Sequence, residues 1–239
     1  VPLTTIPRFQ KEAAEIALQM SQFSVDELER LLRVNAKIAV ENYKRYQAFH
    51  AETTPELPAL LAYTGIVFKR LNPKDFSAED FGYAQEHLRL TSFCYGLLRP
   101  LDVIRAYRLE GDVVLPELGN QTMFSYWQSR LTDIFIEDIK NAGGILCNLA
   151  SDEMKSLFDW KRVEKEVRVI TPGFQVWKNG KWASVVIYIK MSRGEMTRFV
   201  LKNKIENPEE LKHFSWEGFE FDESLSDEKK FVFTNGKEI

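Results

Sequence analysis

A mixed α/β fold is what this sequence predicts: one compact domain over residues 1–239, with a central mixed sheet flanked by helices. Three observations predict it. The first fifty residues have helical apolar spacing, Thr122 to Lys140 is one long amphipathic segment, and β-branched and aromatic runs gather after Gly144. Helices repeat every 3.6 residues and strands every two, so the two kinds of segment leave different apolar patterns. On this reading a helical part spans about residues 9–50, and sheet and helices together fill about residues 57–235.

Phe9, Ala13, Ile16, Ala17 and Met20 place one apolar stripe on a helix from Phe9 to Ser21. Ser24 and Glu27 form a capping box, and Leu28, Leu31 and Leu32 follow as a stripe. A third helix is expected from Ala36 to Phe49, and a polar linker from Thr53 to Pro58. The run ALLAY after it reads as a short strand or buried turn ending at Gly65. Ser77 and Asp80 open another helix carrying Phe81, Ala84, His87 and Leu88. In Thr122–Lys140, Met123, Trp127, Leu131, Phe135 and Ile139 recur every fourth residue, and Gly143-Gly144 stops the helix. GILCNLA from Gly144 is a buried strand, and Ser151-Asp152-Glu153 opens a short helix. Val167–Val176 and Trp182–Ile189 read as strands joined at Asn179-Gly180, a strong hairpin signal. Arg193-Gly194 is expected to open a helix reaching Ile205, and Pro208 to begin one more turn. The last strand candidates are Gly218–Asp222 and Phe231–Thr234.

Composition limits the function. The chain is 44% hydrophobic and 13% aromatic, enough to bury a core. Its net charge is −3, so a general attraction to DNA or to an anionic membrane is not supported, and any polyanion site must be a local patch. Cys94 and Cys147 sit in apolar surroundings, no CxxC occurs, and His50, His87 and His213 are far apart. No metal site and no cofactor are expected. A ferrous site wants two histidines and a carboxylate, and His87 beside Glu86 has no identifiable second partner. A peroxide-sensing cysteine would need a low pKa and exposure. No signal peptide and no apolar run approaching membrane-spanning length is seen, so the cytoplasm is the expected compartment and no membrane partner is expected.

Two basic islands interrupt this pattern. In Glu86–Glu110, Arg89, Arg99, Arg105 and Arg108 alternate with apolar residues, with Asp102 and Glu110 among them. In Lys190–Lys204, five basic residues (Lys190, Arg193, Arg198, Lys202, Lys204) face one acidic residue, Glu195. Arginine stays charged, and its planar fork suits phosphate or carboxylate. If the fold brings the islands together they line one cationic cleft. Each motif has a plainer reading as well. Asp102 orients Arg99 or Arg105 in a site loop, or simply pins that loop with an internal salt bridge. Tyr107-Arg108-Leu109-Glu110 alternates like a strand edge, so Arg108 and Glu110 form either a ligand clamp or an architectural pair. Asn148 to Ser151 lies where a strand yields to a helix N-terminus, a common anion site, but Ser151 or Asp152 also serves as a helix cap.

The strings HLRLTSFCYGLLRPLD, YRLE, NLASDE, IKMSRGEMTRF and WEGFEFD, in this order between about Leu57 and Asp222, resemble the YaaA family. The resemblance implies a role in resistance to peroxide stress through lower free intracellular iron. It also implies DNA binding by a positively charged cleft and a helix-hairpin-helix element. Two departures stand out. Family members begin with a short strand and a Ser-Pro-Ala-Lys-like motif, whereas this chain begins Val1-Pro2-Leu3. The family block LSGLYG has Phe93 at its first glycine here, with Gly96 retained. Phenylalanine does not adopt φ > 0 cheaply, which argues against hairpin-type DNA binding in this chain. Two functions follow. The first is a DNA-binding protein using Arg89, Arg99, Arg105, Arg108, Lys190, Arg193 and Arg198. The second is an enzyme in which the same cluster, with Asn148, Ser151 and Asp102, holds a small phosphorylated or nucleotide-like substrate; Tyr107 and Glu110 are supporting residues of that cluster. No catalytic residue is assigned.

Overall fold

The computed structural model describes residues 3–238, without the side chain of Glu238. Val1 and Pro2, on which the expectation about the chain's start falls, lie outside the described residues, as does Ile239. Helices α1 (Gln10–Met20), α2 (Val25–Leu32) and α3 (Ala36–Ala48) come first, then strand β1 (Leu57–Pro58). Helices α4 (Ala59–Ala62), α5 (Ile66–Leu71) and α6 (Ala78–His87) follow. Five short strands come next: β2 (Leu90–Ser92), β3 (Gly96–Leu98), β4 (Val103–Ile104), β5 (Val114–Leu115) and β6 (Gln121–Thr122). Then come α7 (Met123–Asn141), β7 (Ile145–Cys147), α8 (Trp160–Glu166), β8 (Arg168–Lys178) and β9 (Lys181–Ala183). Helix α9 (Val186–Asn203) and strands β10 (Glu220–Phe221) and β11 (Lys230–Glu238) end the chain. The class is mixed α/β, as expected. Contacts gather into two compact units: Val1–Ala62 with Leu88–Phe135 and Asp152–Trp160, and Tyr63–His87 with Ile136–Ser151 and Lys161–Ile239.

In the first unit the helices follow their apolar stripes. Ala13, Ile16, Ala17 and Met20 are buried on α1, and Leu28 and Leu32 on α2. The Ser24–Glu27 capping box forms in both directions, and the Asn35 side chain accepts from the Ile38 N–H to start α3. Trp127 is fully buried, edge-on to Phe9 at 5.3 Å, and its indole N–H donates to the Phe93 carbonyl at 2.7 Å. That carbonyl belongs to the turn of an antiparallel hairpin, β2–β3. The segment for which the resemblance implied a helix-hairpin-helix is therefore a β-hairpin. Gly96 has φ +71°, and a Cβ there would stand 2.7 Å from the Trp127 ring, so both backbone and packing require glycine.

The ALLAY run takes the second of its two expected forms, a buried turn, and the departure lies in the expected linker just before it. Only Leu57–Pro58 is strand, paired with β4, and Ala59–Ala62 is a helical turn. The Ala59 and Leu60 N–H groups donate to the Asp102 and Pro100 carbonyls at 2.8 and 3.0 Å, leaving no continuing strand partner. Alanine and leucine then take the conformation they intrinsically favour.

The second unit holds a five-stranded mixed sheet in the order β10-β11-β8-β7, with β9 also on β8. Strands β7 and β11 run parallel to β8, whereas β9 is antiparallel to β8 and β10 to β11. Ile170, Phe174 and Val176 of β8 pack with Met196, Leu211, Phe214, Phe219, Phe231 and Phe233 in one apolar core. A second departure lies beside it. Trp182–Ile189 is not one strand, because β9 ends at Ala183 and α9 begins at Val186, seven residues before the expected start at Arg193. Val185, Tyr188 and Ile189 pack against that core, and this burial overrides their β preference.

Candidate nucleic-acid interface

The four arginines of the first basic island, Glu86–Glu110, lie in the first unit, and they are largely committed. Arg99 donates from its backbone N–H to Asp102 Oδ2 at 2.8 Å and from its guanidinium to Oδ1 at 2.8 and 3.2 Å. It also reaches the Ile6 carbonyl at 3.2 Å. The Asp102 side chain is only 1% exposed and accepts the Thr5 hydroxyl as well, at 2.7 Å. Between the two partners proposed for Asp102, the structure selects Arg99, in the geometry of an internal salt bridge. Arg105 turns elsewhere, to Glu56 at 3.0 Å and to the Phe49 carbonyl. Its backbone N–H donates to the Tyr95 hydroxyl at 3.0 Å. Arg89 donates to the Leu88 carbonyl at 3.0 Å.

Arg108 and Glu110 pair at 3.3 Å, as their spacing suggested, although the segment is irregular rather than a strand. The Arg108 side chain keeps 47% of its surface exposed, and its carbonyl accepts the Tyr46 hydroxyl. Tyr107 shares a hydrogen bond of 2.5 Å with the Ser92 hydroxyl, which also accepts the Tyr95 N–H. Tyr107 thus braces the β2–β3 hairpin.

The second island lies wholly in the second unit, on α9 and its C-cap residue Lys204. Arg198 makes a bidentate pair with Asp75 at 2.8 and 2.6 Å and also donates to the Leu71 and Asn72 carbonyls. Lys202 binds Asp80 at 2.8 Å, and Lys204 lies 3.3 Å from Glu79. The charge excess read from Lys190–Lys204 is therefore met by acids more than a hundred residues upstream, and no local pattern could have shown this. Arg193 is half-buried inside the helix, where its carbonyl accepts the Thr197 hydroxyl. Lys190 is exposed and pairs with no acid among the described residues.

Asp80 is the most strongly perturbed of these groups. The Lys202 ammonium, then the Ser77 backbone N–H, hold its carboxyl down from the ordinary 3.8 to about 2. A depressed folded-state pKa stabilises the fold above the unfolded value, and the effect is lost as pH falls through the folded value. Asp80→Asn is expected to lower the melting temperature at neutral pH. Thermal melts across pH should show the gap from wild type closing between about pH 4 and about pH 2. A gap that stayed constant over that range would show that the charge is not what Asp80 contributes.

Asn148 follows β7. Its N–H donates to the Ile170 carbonyl at 2.8 Å, and its Oδ1 accepts the Ala150 N–H at 3.3 Å. Among the described residues its side-chain Nδ2 is buried with no hydrogen-bond partner, and so is the hydroxyl of Ser192 on α9. Sequence reading did not single out Ser192, although it lies inside the IKMSRGEMTRF block, because the basic residues around it drew the reading. Ser151 is half-buried, and the segment after it, Asp152–Leu157, is a 3-10 helix. Burial pushes the Cys94 thiol far up and the Cys147 thiol up to about 12, so both are protonated at neutral pH and neither has the thiolate a peroxide sensor needs. Among the described residues, no three His, Cys, Asp or Glu side chains gather to hold a metal ion. No helix among them is long and apolar enough to cross a membrane.

The class this defines is a mixed α/β protein whose clustered arginines are tied mostly to internal carboxylates, with a few cations left at the surface. A family model described as peroxide stress protein YaaA matches residues 1–225. The chain is 91% identical over 236 residues to a UPF0246 protein of Bacteroides thetaiotaomicron, covering 99% of this chain and 92% of that one. It is 50% identical over 231 residues to a UPF0246 protein of Porphyromonas gingivalis, covering 96% and 90%. To one from Crocosphaera subtropica it is 36% identical over 234 residues, covering 98% and 92%. The chain belongs to the YaaA peroxide stress family, UPF0246.

Proposed function

We propose that this chain acts in the cytoplasm during peroxide stress, limiting oxidative damage by lowering free intracellular iron and by binding DNA through local basic residues. The observation that carries the reading is the family match over residues 1–225. The ion-pair geometry refines which residues would touch phosphate. Arg99, Arg105 and Arg198 already serve carboxylates, and a guanidinium so engaged gains less from a phosphate. Lys190, which pairs with no acid among the described residues, is the better candidate, followed by Arg108, which pairs with Glu110 but is more exposed than those three arginines. Such contacts release counterions, so binding weakens as salt rises. Fluorescence anisotropy with labelled DNA at low and physiological salt tests this. Wild type should bind at low salt, and Lys190→Ala and Arg108→Ala should each bind about threefold more weakly at that salt. Absence of binding at low salt would remove DNA as the partner.

A second reading, an enzyme acting on a small phosphorylated or nucleotide-like substrate, is favoured by one observation. The buried Asn148 Nδ2 has no acceptor among the described residues, and a bound ligand's carbonyl or phosphate oxygen would supply one. Saturable thermal stabilisation by mononucleotides, lost in Asn148→Ala, would support that reading over the first.

A further inference from the structure

No acidic residue occurs between Glu166 and Glu195, while Arg168, Lys178, Lys181, Lys190 and Arg193 fall inside that interval. Its middle reads Trp177-Lys178-Asn179-Gly180-Lys181-Trp182 and forms the β8–β9 hairpin. Register sets Trp177 opposite Trp182 and Lys178 opposite Lys181. Asn179 and Gly180 have φ of 52° and 74°, the positive pair that a two-residue type I′ turn requires. The near-symmetric sequence thus folds into two matched cross-strand pairs at a tight tip.

The two indoles meet edge to face, with centroids 5.0 Å apart. Phe174 and Val176 face the apolar core, so strand alternation puts Trp177 on the other face of the sheet. Both tryptophans are half-buried and keep part of their surface open. Lys178 and Lys181 are exposed, and among the described residues no carboxylate pairs with either, unlike Arg198, Lys202 and Lys204 on α9. Like charges directly opposite in an antiparallel pair repel. An anion bound at the tip would relieve that repulsion.

Aromatic faces beside unpaired cations match single-stranded nucleic acid, which offers a base face and a phosphate at every nucleotide. A duplex keeps its base faces stacked inside. We propose that this hairpin binds single-stranded nucleic acid, with a base stacked on the Trp177–Trp182 pair and Lys178 and Lys181 on flanking phosphates. The inference rests on the DNA-binding reading above and specifies its contact. An anionic bilayer is the rival partner, because Val186 and Ile187 just beyond the hairpin are 65% and 44% exposed. The lysines occupy the tip, however, so insertion would carry two ammonium groups ahead of the indoles, which hydrocarbon disfavours.

The test uses a short labelled oligothymidylate, a matched duplex and phosphatidylglycerol vesicles against the full chain. Wild type should bind the oligothymidylate more tightly than the duplex, with quenched tryptophan emission. Lys178→Gln/Lys181→Gln, which leaves the indoles and the turn in place, should weaken that binding about tenfold at low salt and cut the log–log salt slope by about 1.4. Trp177→Leu/Trp182→Leu should remove the quenching. Unchanged affinity in the lysine variant, with wild type still binding DNA, overturns this inference and leaves the DNA reading standing. No binding of either DNA by wild type overturns both. Binding to vesicles but not to oligothymidylate also overturns it.

Discussion

Asp102→Ala is expected to destabilise the protein by about 3 kcal/mol, a drop in melting temperature of roughly 10 °C. The carboxylate is almost fully enclosed and accepts from the Arg99 backbone, the Arg99 guanidinium and the Thr5 hydroxyl. Its own backbone is equally engaged. The Asp102 carbonyl accepts the Ala59 N–H, and the Thr5 carbonyl accepts the Val103 N–H, so this carboxylate sits where three chain segments meet. Removing it takes the acceptor from the Arg99 backbone N–H and leaves the Arg99 guanidinium with the Ile6 carbonyl. Arg99 is about one-third exposed and recovers part of the loss by turning to water, which places the estimate at the lower end for a broken buried pair. Asp102→Asn keeps the shape and some acceptor capacity and should fall between alanine and wild type. Thermal and urea denaturation measure both. A variant that kept its stability but lost anion binding would instead place Asp102 in a ligand site.

Gly194→Ala should destabilise by about 2–3 kcal/mol even though alanine is the better helix former. Helices α5 and α9 cross so closely that a Cβ on Gly194 would stand 2.3 Å from the Val67 carbonyl oxygen and 2.7 Å from Arg70 Cβ. The obstacle is backbone, so no side chain can swing aside. The two helices would have to part, disturbing the Arg198 contacts to Leu71, Asn72 and Asp75 at the end of α5. Gly82 in α6 is the matched control, because nothing lies within 4 Å of its missing Cβ. Gly82→Ala should stabilise by about 0.5–1 kcal/mol through helix propensity alone. Opposite signs in paired chemical denaturation would separate packing from propensity, and equal signs would refute the close crossing.

Much of the framework was legible from the sequence. The stripes on α1 and α7, the Ser24–Glu27 and Ser77–Asp80 caps and the Asn179-Gly180 turn all stand where pattern put them. Legibility failed where burial competed with propensity. Val186 to Ile189 read as strand and are helix, because α9 is held by the core it covers rather than by its own β-branched residues. The linker before ALLAY failed for another reason: Leu57–Pro58 is strand because β4 lies beside it, a partner more than forty residues downstream.

The candidate site was less legible than the fold. Which residues carry charge is written in the chain, and both basic islands exist as read. Whether a charge is available is not, since Arg99 answers to Asp102 and to the Ile6 carbonyl, 93 positions away, and Arg198 to Asp75, 123 positions away. By itself the sequence determined most of the elements, their caps and turns, and the family, because these depend on neighbours within a few residues or on the order of blocks along the chain. Only the tertiary structure decided which cations are spent on internal carboxylates and which remain at the surface, because ion pairing depends on distance in space, and folding sets that distance independently of separation along the chain.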